Sequence, residues 1–333
     1  MPQSSANKEE QVKSKTSRFW LKVSRPEFLP ANSASLIIGL AWGLTLPLDI
    51  FAGLVVPLVL AFAVISLVGA FAAHINTMAD YELDKNDETK KDLVVAMAHV
   101  GKSKLKKLMV LELSLSLFFL LILTFSQGKL AFVFLWAVAA FLAYAYSAAP
   151  LRFKSRSLAA PITLMIVLSI LPVTFVTYAF TPAPDWFFFV FLAGQALTVY
   201  GVIVPAEIRD YFSDKATGTV TMTVRLGLVK ASLLGLALLT VGGSLCAAGF
   251  TLKLSAISLP FLSVLLVVMA AGYAYVLSKY WKLLHLSRRL GNSQQPAVEQ
   301  EIVDLAAKNP KWITIVTQTI VFMSIVLLIA KIL

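Results

Sequence analysis

The sequence contains little charge and almost no cysteine. Of its 333 residues, 14% are charged and one is a cysteine, whereas soluble domains average about a quarter charged residues. With Cys246 alone, the chain can form neither an internal disulfide nor a cysteine metal cluster. The first thirty residues are polar and lack the apolar stretch of a secretory signal. These features exclude a disulfide scaffold and argue against a soluble domain.

Long apolar blocks make up most of the chain instead. A helix needs about 20 residues to cross a bilayer, and backbone groups in lipid need internal partners, which favours helices. No short alternating segments of a membrane barrel are present. We predict an all-α integral membrane fold, with a disordered polar tail at 1–17 and a membrane domain at 18–333. The nine predicted transmembrane helices are 31–48, 51–77, 107–127, 130–148, 159–181, 186–206, 229–251, 255–277 and 312–332.

The positive charges lie on one side of this predicted topology. The net charge is +11, and all but three of the 29 lysine and arginine residues fall in the N-terminal segment, in alternate loops or within the first two residues of the helices that follow those loops. The three exceptions are Lys129, Lys253 and Lys331. The positive-inside rule then predicts a cytoplasmic N-terminus and an outer C-terminus. We expect a multi-pass protein of the bacterial inner membrane. Its partner is the lipid bilayer, and the positive charge does not indicate binding to nucleic acid.

A short motif occurs twice. Asp-Tyr-x-x-Asp-Lys begins at Asp80 and again at Asp210, 130 residues later, each time where a predicted helix leaves the membrane on the cytoplasmic side. Membrane folds built from repeats tend to place the working site where the repeats meet. We therefore predict two pseudo-repeated four-helix halves, at about 31–148 and 159–277, followed by a ninth helix at about 312–332.

Each copy of the motif lies in a ridge of oxygen-bearing side chains. The first ridge is Asn76, Asp80 and Asp84, and the second ridge is Glu207, Asp210 and Asp214. Residues three or four apart share one face of a helix. Crowded carboxylates favour a cation, and hard oxygen ligands suit Mg²⁺, which shares its coordination shell with phosphate. We predict that the four aspartates are catalytic and that all six residues hold Mg²⁺.

Basic and aromatic residues accompany both ridges. Lysine and arginine can neutralise the phosphate oxygens of a diphosphate leaving group. The positive-inside rule and the interfacial preference of tyrosine explain several of these residues equally well. The predicted substrate-binding residues are Asn76, Lys90, Lys91, Tyr146, Arg152, Lys154, Arg209, Tyr211 and Lys215.

Two further ionisable residues lie near the first ridge. We interpret His74 as a packed histidine near a helix end. Glu112 could be a functional acid inside the membrane. Its neighbours Lys106 and Lys107 favour a position at the membrane surface, and this is the interpretation we adopt.

Together these segments resemble the UbiA-type intramembrane prenyltransferases. The first ridge matches the family's Asn-x-x-x-Asp-x-x-x-Asp motif. The second family motif is matched by Asp210, Asp214, Gly218, Thr221 and the segment 224–227, and a third by Tyr146, Ser147, Pro150, Arg152 and Lys154; the entrance, 24–26, is also similar. The resemblance implies helices around a central lipid-open cavity, Mg²⁺ on both motifs, an isoprenyl diphosphate donor and a hydrophobic, often aromatic, acceptor.

The resemblance has three departures, at Thr77, at Glu207 and in the loop after the first ridge, and two other functions stay open. The family's Arg-x-x-Arg-Pro is replaced by Lys90-Lys91-Asp92-Leu93, which implies that lysines bind the diphosphate in this loop. The leading expectation is Mg²⁺-dependent isoprenyl transfer through ionisation of the diphosphate. One alternative is a terpene cyclase of the same superfamily, which has no separate acceptor. The other is a transporter, for which ionisable residues near the bilayer midplane would be expected.

Overall fold

The computed structural model describes most of the chain as helix. The described residues are 18–25, 29–45, 50–85, 90–181, 183–216, 218–256, 259–293 and 295–333, and they contain no strand. The predicted tail at 1–17 lies outside the described residues, as does Pro26 of the entrance segment.

Fourteen α-helices follow one another along these residues. A π-helical turn at Ile50–Val55 leads into α3, another at Ile166–Ile170 joins α7 to α8, and a 3-10 turn covers Phe153–Ser155. The helices are α1 (18–24), α2 (Leu29–Gly43), α3 (Val56–Asp84), α4 (Lys91–Val100), α5 (Lys102–Gln127), α6 (Ala131–Ser147), α7 (Ala159–Met165), α8 (Leu171–Phe180), α9 (Trp186–Ala216), α10 (Met222–Leu226), α11 (Leu228–Ser255), α12 (Leu259–Ser293), α13 (Pro296–Ala306) and α14 (Asn309–Ile332).

Seven helical segments are long and apolar enough to cross a membrane. They are Gly53–Asp84, Lys102–Gln127, Ala159–Phe180, Trp186–Ala216, Leu228–Ser255, Pro260–Gly291 and Pro296–Ile332. Two shorter apolar helices, Ser33–Gly43 and Ala131–Ser147, occupy two more of the predicted blocks. The protein is therefore a multi-pass integral membrane protein. The count of nine crossings stays a prediction, because these two helices fall short of the roughly 20 residues that a bilayer requires.

The chain divides into two compact units. The first unit comprises Met1–Asn32 and Leu60–Arg152, and the second comprises Ser33–Val59 and Phe153–Leu333. In the first unit, apolar residues of α3, α4 and α5, including Phe71, Met97 and Met109, form a buried core. A polar contact also joins α6 to α5, because the Trp136 indole donates to the Ser116 hydroxyl at 2.9 Å.

In the second unit, α9 and α11 pack closely because glycines lie where they meet. A Cβ atom added to Gly194 would stand 2.5 Å from the backbone nitrogen of Cys246 and 2.6 Å from the carbonyl oxygen of Gly242. Small residues allow membrane helices to approach until their backbones touch. This packing holds the long helix that carries the second ridge.

Replacing Gly194 by alanine is expected to destabilise the protein by about 1–3 kcal/mol, because the new methyl group would meet backbone atoms that cannot move aside cheaply. Thermal unfolding in detergent measures the loss. Gly291→Ala is the matched control, since a Cβ there meets nothing within 4 Å. Equal melting temperatures for the two variants would contradict this account of the packing.

Lysines close the opposite end of the second unit. Lys253, at the end of α11, forms an ion pair with Asp185, which precedes α9. The Lys331 ammonium donates to the carbonyl oxygens of Ala41 and Leu44 at 2.8 and 2.9 Å, which satisfies acceptors at the end of α2. Since α9 has 31 residues and is about 46 Å long, this end is far from the second ridge. Lys253 and Lys331, two of the three lysines predicted for the outer side, line one cavity at this end.

Candidate active site

The first ridge forms because α3 continues without a break to Asp84. The segment from Asn76 to Asp84 contains neither proline nor glycine, the residues that most weaken a helix. Asn76, Asp80 and Asp84 therefore share one face over about 12 Å. The face becomes more buried toward its end, where the side chain of Asp84 is 9% exposed and that of Asp80 18%.

Both carboxylates of the first ridge are paired with cations. Arg152 donates from Nη2 to Oδ1 of Asp80 at 3.1 Å. Lys90 donates from Nζ to Oδ1 of Asp84 at 2.7 Å. The sequence predicted Lys90 and Arg152 as phosphate-binding residues, and the structure brings both of them to the acids that are predicted to hold metal.

The end of α6 and the segment after it supply further contacts of this ridge. The Ser147 hydroxyl donates to Oδ1 of Asn76 at 3.1 Å, and Tyr146 beside it is half-buried. Arg152 has a φ of +36°, a left-handed conformation that costs a non-glycine residue about 1–2 kcal/mol. The contact between Arg152 and Asp80 is made from this strained backbone position.

A separate set of charges lies off the ridge at the end of the same helix. Glu82 accepts from Lys85 at 2.6 Å and from Lys102 at 3.0 Å. The hydrogen bond to Glu82 raises the pKa of Lys85. Both lysines also lie over the ring of Tyr81, at 4.7 and 5.1 Å from its centroid. Lys85 thus contacts Glu82 and Tyr81, whereas Lys90 pairs with Asp84 of the ridge.

The second ridge lies on the last turns of α9, where Glu207 is held by two hydroxyl groups. Its Oε1 accepts from the Tyr200 hydroxyl at 3.1 Å, and its Oε2 accepts from the Thr223 hydroxyl at 2.9 Å. Thr223 belongs to α10, so this carboxylate fastens the short helix to α9. Sequence reasoning missed both partners. Tyr200 lies two turns before Glu207 on the same face, but no local pattern marks Thr223.

The remaining acids of this ridge lie nearer the end of α9. Asp210 receives a two-pronged contact from the neighbouring Arg209, at 2.7 and 3.0 Å, and both side chains are exposed. Asp214 is half-buried one turn further on. Lys215 lies over the ring of Tyr211, with its nitrogen 5.8 Å from the centroid. Three of the four predicted substrate-binding residues of the second unit therefore surround the end of α9.

The loop after the second ridge depends on glycine and threonine. Gly218 and Gly227 have φ angles of +72° and +74°, which glycine adopts without steric cost. Thr221 caps α10, because its side chain accepts from the backbone of Val224 at 3.3 Å. These local needs give a structural reason for the residue types of the Gly218 and Thr221 motif.

The position predicted for Glu112 is wrong. Glu112 is buried in α5, and the Nδ1 atom of His74 in α3 lies 2.9 and 3.0 Å from its two oxygens. Both side chains are almost inaccessible to solvent. The nearby lysines therefore do not draw this carboxylate to the surface, because a buried partner holds it inside the unit.

The donor set of the ridges fits magnesium. Within the described residues, no three histidine, cysteine or acidic side chains stand close enough to hold a metal by themselves. Mg²⁺ commonly binds through one or two carboxylates and completes its shell with water and substrate phosphates. Each ridge offers acids of this kind beside cations that can bind phosphate. Of the other predicted residues, Lys91 is exposed at the start of α4, and Lys154 is half-buried in the 3-10 turn.

The sequence matches the model of one known protein family. The family model of the UbiA prenyltransferase family matches residues 34–290. The chain belongs to this family. No curated protein matches the chain.

Solved structures share the fold of this UbiA family member. A structure of digeranylgeranylglyceryl phosphate synthase has a TM-score of 0.64 and 16% identity, over 93% of this chain and 99% of that one. A UbiA homologue from Archaeoglobus fulgidus, bound to DMAPP and Mg²⁺, gives 0.58 and 17%, over 86% and 99%. A UbiA homologue from Aeropyrum pernix K1 gives 0.54 and 14%, over 86% and 97%. At these identities the likeness concerns the fold.

Proposed function

We propose that this protein is a Mg²⁺-dependent prenyltransferase, which moves an isoprenyl group from an isoprenyl diphosphate to a hydrophobic, often aromatic, acceptor. The observation that carries the proposal is the pair of ion pairs at the end of α3, between Asp80 and Arg152 and between Asp84 and Lys90. They bring carboxylates that can bind metal next to cations that can bind phosphate. Membership of the UbiA prenyltransferase family supports the same chemistry.

The donor is proposed from chemistry and from relatives. Archaeoglobus fulgidus homologues were solved with DMAPP and Mg²⁺ and with GPP and Mg²⁺. In this chain, the residues of the first ridge and those of the second ridge would each bind Mg²⁺, which would neutralise the negative charge of a diphosphate leaving group. Lys90, Arg152 and Arg209 would orient the phosphate oxygens. The other proposed substrate-binding residues are Asn76, Lys91, Tyr146, Lys154, Tyr211 and Lys215.

The site is proposed to face the cytoplasm. The charge distribution of the sequence supports a cytoplasmic N-terminus and an outer C-terminus. The seven long apolar helices and the two shorter ones support nine crossings. The repeated motif supports two related halves followed by a ninth helix. The proposed location is a bacterial inner membrane.

The deciding experiment incubates the purified protein in detergent with Mg²⁺ and geranyl, farnesyl or geranylgeranyl diphosphate, first without and then with candidate acceptors. We expect diphosphate release coupled to a prenylated adduct that forms only with acceptor. A cyclic hydrocarbon or alcohol formed without acceptor would favour the cyclase instead. No diphosphate release with any donor and acceptor would overturn the proposal and favour transport.

A further inference from the structure

Each carboxylate of the first ridge has a cationic partner on its Oδ1 atom, and a metal bound to that atom would have to replace it. Oδ1 of Asp84 holds the Lys90 ammonium at 2.7 Å, and Oδ1 of Asp80 holds the Arg152 guanidinium at 3.1 Å. The two acids are shielded from solvent, and a shielded charge is costly unless an opposite charge accompanies it. Each acid therefore requires a cation both with and without a ligand.

A metal ion and these cations compete for the same oxygen atoms. Mg²⁺ binds carboxylate oxygen at about 2.0–2.1 Å. An ion on Oδ1 of Asp84 would stand within about 5 Å of the Lys90 nitrogen, where like charges repel. Metal and lysine are therefore alternative partners of this oxygen, and the same argument applies to Arg152 on Asp80.

Both cations are able to leave the ridge for an anion beside it. The side chain of Lys90 is 46% exposed and that of Arg152 35%, so each reaches solvent from its present contact. Lysine binds phosphate as a mobile point charge, and arginine binds it through a planar fork of donors. A diphosphate on the metal would offer new partners to both.

We propose that Lys90 and Arg152 exchange partners on ligand binding: they neutralise Asp84 and Asp80 in the free protein and move to the diphosphate when Mg²⁺ takes the carboxylates. The identity of the two ligands rests on the proposed function. Either ligand alone is then disfavoured, because Mg²⁺ must displace the cations from their carboxylates, and diphosphate must compete with the acids for the same cations. The two ligands bind cooperatively, and each raises the affinity for the other by the same factor.

The exchange predicts effects of opposite sign. In Lys90→Gln, Mg²⁺ alone no longer displaces a cation from Asp84, so metal affinity without diphosphate should rise by roughly tenfold, within the usual range of coupling between two ligands. Affinity for a diphosphate at saturating Mg²⁺ should fall by a similar factor. A residue that only binds phosphate would show the second effect without the first. Arg152→Gln should act in the same way through Asp80.

Lys85→Gln is the matched control. It removes the same charge one residue beyond Asp84, but Lys85 is paired with Glu82, off the ridge. A general change in electrostatic potential would affect both lysine variants, whereas partner exchange affects Lys90→Gln alone. Lys90→Arg retains the charge and should retain the coupling.

The experiment measures binding in the full-length protein in detergent, so it does not depend on turnover. Mn²⁺, followed by its paramagnetic resonance signal, reports the metal site without diphosphate. A geranyl thiolodiphosphate, which ionises poorly, reports the donor site at saturating Mg²⁺. Tighter Mn²⁺ binding with weaker analogue binding in Lys90→Gln or Arg152→Gln supports the exchange, provided that Lys85→Gln changes neither.

Two other results overturn the proposal and differ from each other. In one case, the wild type binds Mn²⁺ and the analogue, but Lys90→Gln and Arg152→Gln both leave the Mn²⁺ affinity unchanged or lower it. The exchange then fails while the proposed function stands. If the wild type binds neither ligand, the proposed function fails and the exchange fails with it. Circular dichroism and size-exclusion profiles identify any variant that fails to fold. If Lys90→Gln or Arg152→Gln fails to fold, the other variant decides the result.

Discussion

Replacing Asp80 or Asp210 by asparagine is expected to lower the rate of diphosphate release by roughly 10³-fold, the size of effect seen when a group that stabilises developing charge is removed. Asparagine has nearly the same shape but no negative charge, so the fold should survive while metal and phosphate lose their anchor. The rate is measured with purified protein, saturating isoprenyl diphosphate and Mg²⁺. Extra Mg²⁺ should restore part of the lost rate if Asp80 acts through the metal.

The control makes the same chemical change outside the ridges. Asp92→Asn alters an acid of α4 whose side chain is 89% exposed and whose Oδ2 atom lies 4.0 Å from the Lys22 nitrogen. It should retain wild-type turnover. Wild-type turnover in both ridge variants would remove the two aspartates from the reaction.

The ridges were predictable because helical spacing alone defines them. Positions four apart share a face whatever surrounds the helix, and the segment from Asn76 to Asp84 has no residue that would break α3. The structure describes one uninterrupted helix through each ridge. The role of these residues in metal binding stays a prediction, since it depends on ligands as well as on spacing.

The partners of the ridges were harder to predict, because they come from distant parts of the chain. Ser147 contacts Asn76 across 71 residues, and Arg152 contacts Asp80 across 72. No local periodicity records such pairs. The sequence indicated that Arg152 belongs near a diphosphate, but its contact with Asp80 is evident only from the fold.

The position of Glu112 was still harder to predict from the sequence. Its sequence neighbours Lys106 and Lys107 indicated a surface position, because local charge was the only partner that the sequence offered. The structure provides His74, 38 residues earlier, and this contact makes burial possible. A buried polar group is tolerated when it has a partner, and pairing between helices cannot be derived from one helix alone. The resulting pair has a testable effect on stability.

Removing either member of the buried pair is expected to cost about 2–5 kcal/mol of unfolding free energy, because the other member is left buried without its hydrogen bond or counter-charge. Glu112→Ala strands the His74 ring, and His74→Ala strands the carboxylate. Replacing both, as in His74→Phe with Glu112→Leu, should recover much of the loss, since a buried polar pair can often be exchanged for apolar groups at little cost. Denaturant unfolding in a fixed detergent or bicelle measures all of these variants.

The double variant separates pairing from packing. If His74 and Glu112 stabilise the unit through each other, replacing both by alanine costs less than the two single alanine changes added together. Strict additivity would mean that each side chain contributes to stability through its other neighbours. The interaction energy between His74 and Glu112 would then be zero. Glu82→Ala provides the surface comparison, because its pairs with Lys85 and Lys102 are solvent-exposed and such pairs add little stability. A large loss there, equal to that of Glu112→Ala, would show that burial is not what makes the His74 contact important.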